Sequence, residues 1–273
     1  MKVAFQGEHG AYSEEAVFQH FGRLVAPVPR LTLRAVFDIV GDKEVDFGLV
    51  PVENTLEGSI VQTYDLLLEF DLKVEAEVVL RVIHCLIANP GVTLKDIKRV
   101  YSHPQALGQC RSFLESHGYE AVATYDTAGS VKMLKEEGLM DAAAIASKRA
   151  AEVYLMSIPA TGIEGHAKNY TRFFILGHSN PPPTGRDKTS LVFSIEHAPG
   201  TLFQALKVFA ERGINLTKIE SRPIIGRPWE YLFHLDFEGH KDDQKFRLAL
   251  EELKTRSHFL KILGSYPRSN TIA

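Results

Sequence analysis

Asn169-Tyr170-Thr171-Arg172-Phe173 sets a hydroxyl beside a guanidinium at the mouth of an apolar run, Phe173-Phe174-Ile175-Leu176. An arginine can fork onto a carboxylate while the neighbouring threonine offers a hydrogen bond or a proton to the same ligand. A strand start with a surface Arg has the same composition, so the pentapeptide gains weight only beside two other polar segments. In the segment 50–59, Glu53, Asn54 and Thr55 follow the short apolar run 47–50 and precede helically spaced Ile60, Tyr64 and Leu67. Chain leaving a strand end is where open α/β proteins put ligand contacts. In Ser102-His103-Pro104-Gln105-Ala106-Leu107-Gly108-Gln109-Cys110, Ser102 can cap a helix with Pro104 just inside its start, offering free N–H groups to an anion. Either segment alone could be a capped turn, and His103 reads equally as an acid or as a ring packed at a helix start.

The elements that must carry these groups alternate. Apolar runs at 3–5, 47–50, 99–101, 120–123 and 142–145 are interleaved with a helix opened by Ser13, one from Ser59, and others at 106–116, 127–137 and 147–154. Such alternation marks open α/β sheets. The run 74–88 is too long for one ordinary strand and predicts a crossing between two lobes: residues 1–77 with about 160–178, and residues 78–158. The three polar segments then face one interlobe cleft. Residues 1–178 form this domain, and 179–188, with three consecutive prolines, form an extended linker. From 189 to 273, alternating Leu191, Phe193 and Ile195, helically spaced Leu202, Leu206 and Phe209, strands at 214–221 and 231–237, a helix marked by Phe246, Leu250 and Leu253, and a strand near 259–263 give βαββαβ, a ferredoxin-like unit.

Composition sets bounds. The 273 residues suffice for two domains, 45% are hydrophobic, and the formal net charge is −3, without the basic excess that nucleic-acid binding needs. Cys85 and Cys110 lie in apolar or helical patterns, as buried free thiols of a reducing cytoplasm would. The start on Lys2-Val3-Ala4-Phe5 argues against a leader or a membrane segment. Gly7-x-x-Gly10 lacks the third glycine of a dinucleotide fingerprint, and eleven histidines show no HxxxH, HExxH or CxxC spacing, so neither a nucleotide cofactor nor a metal is expected.

Taken in order, the segments 50–58, 102–110 and 169–173 resemble the VP(V/I)EN(S/T)xxG, SHPQxxxQC and NxTRF motifs of the prephenate dehydratase family, and Gly7-x-x-Gly10-x-Tyr12-Ser13 resembles its opening GxxGxYS. The resemblance spans nearly the whole chain. It implies a two-lobed catalytic domain like that of periplasmic binding proteins, a cofactor-free lyase reaction converting prephenate to phenylpyruvate, and a C-terminal ACT domain that senses phenylalanine. Residues 200–203 and 215–223 are similar to the ACT motifs GALx and ESRP, with Thr201 in place of Ala and Phe203 in place of a smaller residue. On the catalytic side, Arg172 is expected to bind a carboxylate with Ser102. Thr171 is expected to protonate or position the departing hydroxyl, with Glu53, raised in pKa by burial, or water as the alternative donor. Asn54, Thr55 and Gln109 would orient the substrate, Phe173 would wall it, and Tyr12 and Ser13 would complete its site. Gly200, Thr201, Leu202, Asn215, Leu216, Glu220 and Ser221 would hold the effector between paired domains, in a homodimer or homotetramer. Arogenate dehydration, or amino-acid sensing without catalysis, are the alternatives.

Overall fold

The computed structural model describes residues 1–224 and 226–269. The chain begins with β1 (Lys2–Gln6), α1 (Tyr12–Phe21), β2 (Ala26–Arg30), α2 (Leu33–Gly41) and β3 (Phe47–Asn54), followed by β4 (Gly58–Ser59), α3 (Val61–Glu69) and β5 (Lys73–Arg81). β1 runs parallel to both β2 and β3 and is buried at Val3, Ala4 and Phe5. A strand covered on both faces reads as an unbroken apolar run. β2 was invisible to periodicity because Pro27 and Pro29 interrupt it; lacking ladder N–H groups, it sits at the sheet edge.

A second sheet starts at β6 (Cys85–Ala88) and continues through β7 (Arg99–Ser102), α4 (Pro104–Gln109), α5 (Arg111–His117), β8 (Glu120–Ala123), α6 (Thr127–Glu137), β9 (Ala142–Ala146), α7 (Lys148–Tyr154) and β10 (Ser157–Thr161). β11 (Tyr170–Gly177) then returns to the first sheet. The first sheet has the order β2-β1-β3-β11-β5 with β4 on β3; the second has β10-β6-β9-β7-β8. The apolar run 74–88 is thus two strands in two sheets, joined by residues 82–84. The sheets exchange after Arg81, four residues beyond the expected 77, and after Thr161, beside the expected return at about 160. β5 runs beside β11 in the first sheet to Arg81, and β10 stays paired to β6 through Thr161 opposite Cys85.

The C-terminal elements are β12 (Asp187–Ser194), α8 (Thr201–Ala210), β13 (Leu216–Ile224), β14 (Arg227–Glu238), α9 (Gln244–Arg256) and β15 (Phe259–Pro267). They form a βαββαβ unit with sheet order β13-β14-β12-β15, paired antiparallel. Leu191, Phe193, Phe209, Leu235, Phe237 and Leu253 lie at the centre of its core. β12 begins inside the expected linker, because the Asp187 carboxylate accepts from Thr184 N at 2.8 Å and Gly185 N at 3.1 Å and closes a turn there.

Contacts divide the chain into two compact units. One comprises Met1–Leu66 and Val78–Phe173; the other comprises Leu67–Glu77 with the residues from Phe174 onward. Packing within the second unit explains why Leu67–Glu77 belongs to it. A Cβ at Gly264 would lie 2.1 Å from the Val74 carbonyl oxygen, and Lys188 Nζ sits 2.9 Å from the buried Glu77 carboxylate. Lys261 Nζ donates to the carbonyls of Leu67, Leu68 and Phe70 at the C-terminal end of α3. Among the described residues no helix is long and apolar enough to cross a membrane.

Candidate active site

A cavity of about 490 Å³ opens in the first unit, where the ends of β3 and β11 meet the loops after β7 and β8. Among the described residues lining it there is no lysine or arginine, and its charged side chains are Glu57 and Asp126. Five helices, α1, α2, α3, α4 and α6, start at its wall through Tyr12 and Ser13, Leu33, Ile60 and Gln62, His103 and Gln105, and Asp126 and Thr127. A helix start carries unpaired N–H groups and about half a positive charge. Asp126 occupies the α6 start, accepting from Gly129 N at 3.1 Å and from Glu8 N at 3.3 Å. α1 starts at Ala11 with no side-chain cap. An anion entering the cavity would meet backbone N–H groups and neutral side chains, a chemistry suited to carboxylates.

Inside the cavity one network links the lobes. Asn54 Oδ1 accepts from the backbone N–H groups of Leu56 at 2.9 Å and Glu57 at 3.1 Å. Its Nδ2 donates to Asn169 Oδ1 at 2.8 Å, Thr171 Oγ at 3.0 Å and the Tyr170 carbonyl at 3.2 Å. Asn169, fully buried, donates to Gln109 Oε1 at 2.8 Å, and His84 Nε2 approaches the same oxygen at 2.8 Å. Tyr12 Oη lies 2.8 Å from His84 Nδ1 and 3.0 Å from the Ile83 carbonyl. Because Thr171 Oγ already accepts from Asn54, its own proton is available to a ligand.

The structure brings Asn54, Gln109, Thr171, Phe173, Tyr12 and Ser13 to the cavity and leaves four expected residues off its wall. Alternation along β11 turns Thr171 and Phe173 one way and Arg172 the other, and the same alternation in β3 separates Asn54 from Glu53. Arg172 and Glu53 face each other at 3.8 Å, and neither lines the cavity. Ser102 is fully buried and donates to the Ile145 carbonyl at 2.6 Å, tying β7 to β9. His103 takes over as the N-cap of α4, accepting from Gln105 N. Thr55 Oγ accepts from Tyr170 N at 3.0 Å and donates to the Lys168 carbonyl at 3.1 Å, clamping the turn after β3 to the start of β11. Ser13 lies within the first turn of α1 rather than capping it.

Sequence reasoning missed His84 and Asp126 and gave Asn169 no role of its own. A lone histidine inside the apolar run 74–88 was the available signal for the first. Burial pushes the His84 imidazole below its ordinary value, against upward pulls from the Gln109 hydrogen bond and the Glu164 carboxylate. Burial, then the Glu15 carboxylate, holds the Tyr12 phenol well above its usual range, so it stays a donor. Burial raises the Cys110 thiol to about 12, which leaves no thiolate nucleophile there.

In the C-terminal unit the expected effector residues fall into two groups. Gly200, at φ 84°, caps α8 in the left-handed region, with Leu202 in the first turn; Thr201 Oγ turns back to the Glu196 and Ala198 carbonyls. Ser221 pairs with Phe233, which pairs with Phe193 near the end of β12, so Glu220 and Ser221 lie toward the Gly200 end. Asn215 and Leu216 lie beyond the other end of α8, roughly 15 Å away at 1.5 Å per residue. Asn215 Nδ2 donates to Glu238 at 3.0 Å, and Glu220 lies 3.1 Å from Lys218 Nζ.

The model of the prephenate dehydratase family matches residues 3–181, and that of the ACT domain matches residues 189–255. The chain belongs to the prephenate dehydratase family. It is 45% identical over 283 residues to the chloroplastic arogenate dehydratase/prephenate dehydratase 2 of Arabidopsis thaliana, covering all of this chain and 74% of the relative. Its fold is shared, at a TM-score of 0.91 and 32% identity, with the prephenate dehydratase of Arthrobacter aurescens solved in complex with L-Phe, covering 98% of this chain and 90% of that one. A protein described as a novel type of quorum-quenching acylase also superposes at 0.91, with 35% identity and 99% of each chain covered. As a prephenate dehydratase family member, the chain is a lyase acting on prephenate- or arogenate-type substrates and carrying an ACT regulatory domain.

Proposed function

We propose that this protein converts prephenate to phenylpyruvate in phenylalanine biosynthesis, with Thr171 as the hydrogen-bond donor to the departing hydroxyl. The observation that carries the reading is the Thr171 hydroxyl at the cavity wall, which accepts from Asn54 at 3.0 Å and so keeps its own proton for a ligand. The reaction loses carbon dioxide and hydroxide together and gains an aromatic ring, a driving force that calls for no redox step. Two tasks remain for the protein: orienting two carboxylates and helping hydroxide leave. Helix starts and neutral amides suit the first, since they favour the dianion without neutralising the carboxylate whose electrons must flow into the ring. Thr171 suits the second, as a donor realised most strongly when the leaving oxygen becomes negative.

Arogenate is the second reading. It carries an ammonium where prephenate has a keto oxygen, and the cavity's charged side chains are both acids, Glu57 and Asp126. Incubation with each substrate in turn, followed by phenylpyruvate absorbance in alkali or phenylalanine detection, tests both. Turnover of neither would overturn the assignment.

Phenylalanine is the proposed effector of the C-terminal domain. Its carboxylate suits the uncapped start of α8 beside Gly200. The separation of Asn215 and Leu216 from Gly200 along α8 favours a site shared between two copies, in which one supplies each end. Phe203 and Ile219, 64% and 45% exposed, and the edge strand β13 fit such a pairing in a homodimer or homotetramer. Calorimetry with L-phenylalanine and light scattering test this; no binding, or a monomer that binds, would refute it.

A further inference from the structure

We propose that His84 is a positioning residue: its neutral, Nε2-protonated ring fixes the Gln109 carbonyl and completes a one-way hydrogen-bond chain that makes Thr171 a donor to substrate. The proposal rests on the dehydratase reading above and names the residue that orients that site.

Direction in this chain follows from two backbone groups. Leu56 N–H and Glu57 N–H can only donate, so the atom they meet on Asn54, at 2.9 and 3.1 Å, is its carbonyl oxygen. Asn54 therefore presents its NH2 to Asn169 and Thr171, and the Asn169 atom 2.8 Å away is an oxygen. Asn169 must then present its own NH2 to Gln109, at 2.8 Å, and the receiving atom is Oε1. An amide oxygen carries no hydrogen. His84 Nε2, 2.8 Å from that oxygen, has to bring the proton. Gln109 Nε2 is left facing the Glu57 carboxylate at 3.4 Å, the polarity that assignment requires.

With the ring neutral, Nδ1 is a bare acceptor and the Tyr12 O–H, 2.8 Å away, donates to it. With the ring charged, Nδ1 would donate to Tyr12 and the phenol would turn to the Ile83 carbonyl at 3.0 Å. Burial selects the neutral state. Glu164 accepts from the His84 backbone N–H at 2.9 Å, and its carboxylate pulls the ring's proton affinity upward against the larger effect of burial. The polarity of each link is thus assigned, and among the described residues no protein acceptor takes the Thr171 proton, whose oxygen accepts from Asn54. If His84 instead carried its proton on Nδ1, two lone pairs would face each other at 2.8 Å, and Gln109 would be driven to flip. Its NH2 would then oppose that of Asn169, and Asn169, held on its other side by the Asn54 amide that Leu56 and Glu57 orient, would lose its acceptor on Gln109 and loosen its hold on Asn54 beside Thr171.

The test has two parts. In the full-length protein labelled with 15N at histidine, the His84 signals, assigned by their loss in His84→Asn, should show a protonated Nε2 and an unprotonated Nδ1 at neutral pH. An Nδ1-protonated or doubly protonated ring would overturn the proposal, whatever the substrate proves to be. The second part compares variants whose amides reach different ring atoms. His84→Gln can place an N–H near the Nε2 position, whereas His84→Asn reaches only the Nδ1 position. His84→Asn should lower kcat by roughly 10- to 100-fold with KM changed less, and His84→Gln should recover most of that loss. Equal losses in both variants would assign the ring to packing and refute the positioning role. A native protein inactive on prephenate and arogenate would refute the dehydratase reading, and the tautomer measurement would still stand on its own.

Discussion

Replacing Thr171 with valine keeps the branched shape of the side chain and removes its hydroxyl. Two consequences of very different size follow. Asn54 Nδ2 has two protons and three acceptors, at 2.8, 3.0 and 3.2 Å, so losing Thr171 Oγ leaves both protons served by Asn169 and the Tyr170 carbonyl. The penalty for a stranded amide, about 1–3 kcal/mol, is not incurred, and the net cost is that of one ordinary hydrogen bond, about 0.5–1.5 kcal/mol. For a chain of this size that lowers Tm by only a few degrees. Catalysis loses the donor to the leaving oxygen, and kcat should fall by roughly 10²- to 10⁴-fold, or about 3–5 kcal/mol of barrier. Thr171→Ser, which keeps the hydroxyl, should stay within about tenfold of native. Phenylpyruvate formation under saturating substrate, with thermal unfolding of the same samples, measures both quantities. Near-native kcat in the valine variant would remove Thr171 from the chemistry. A fall in Tm beyond about 10 °C would show that the hydroxyl serves the fold instead.

Glu53→Gln should leave kcat/KM within about threefold of native, because the carboxylate faces Arg172 at 3.8 Å away from the cavity; a loss beyond about a hundredfold would return Glu53 to the mechanism. Gly10→Ala should destabilise by at least about 1–3 kcal/mol in urea unfolding, since φ is +91° and the new Cβ would lie 2.6 Å from Ala150 Cα; an unchanged midpoint would contradict that packing. Burial lowers the His234 imidazole from 6.5 to about 4, so the unfolded chain binds the proton first and stability contributed at neutral pH drains away as pH falls from about 6.5 to 4. The difference is on the order of 3 kcal/mol, and His234→Gln should flatten the slope of urea-unfolding free energy across that range; a slope as steep as native would reject this account.

Local chemistry was legible where a residue type and its neighbours decide the outcome alone. The βαββαβ order followed from period-two and period-3.6 patterns on either side of Pro199-Gly200, because each element buries one face against the same core. The split of the run 74–88 into two sheets followed from length, since one strand of that reach has no sheet wide enough to pair it. Asn54, Gln109 and Thr171 were recognisable as a polar set before any fold was known, and they meet through Asn169. Tertiary structure decided which face each polar residue presents. Glu53 and Asn54, or Thr171 and Arg172, are adjacent in sequence and opposite in space, because a strand sends successive side chains to opposite faces and only the sheet's surroundings say which face meets the cavity. The same holds for His84, whose ring gains its role from Tyr12 and Gln109, 72 and 25 positions away along the chain. Its tautomer depends on hydrogen bonds that no local pattern encodes.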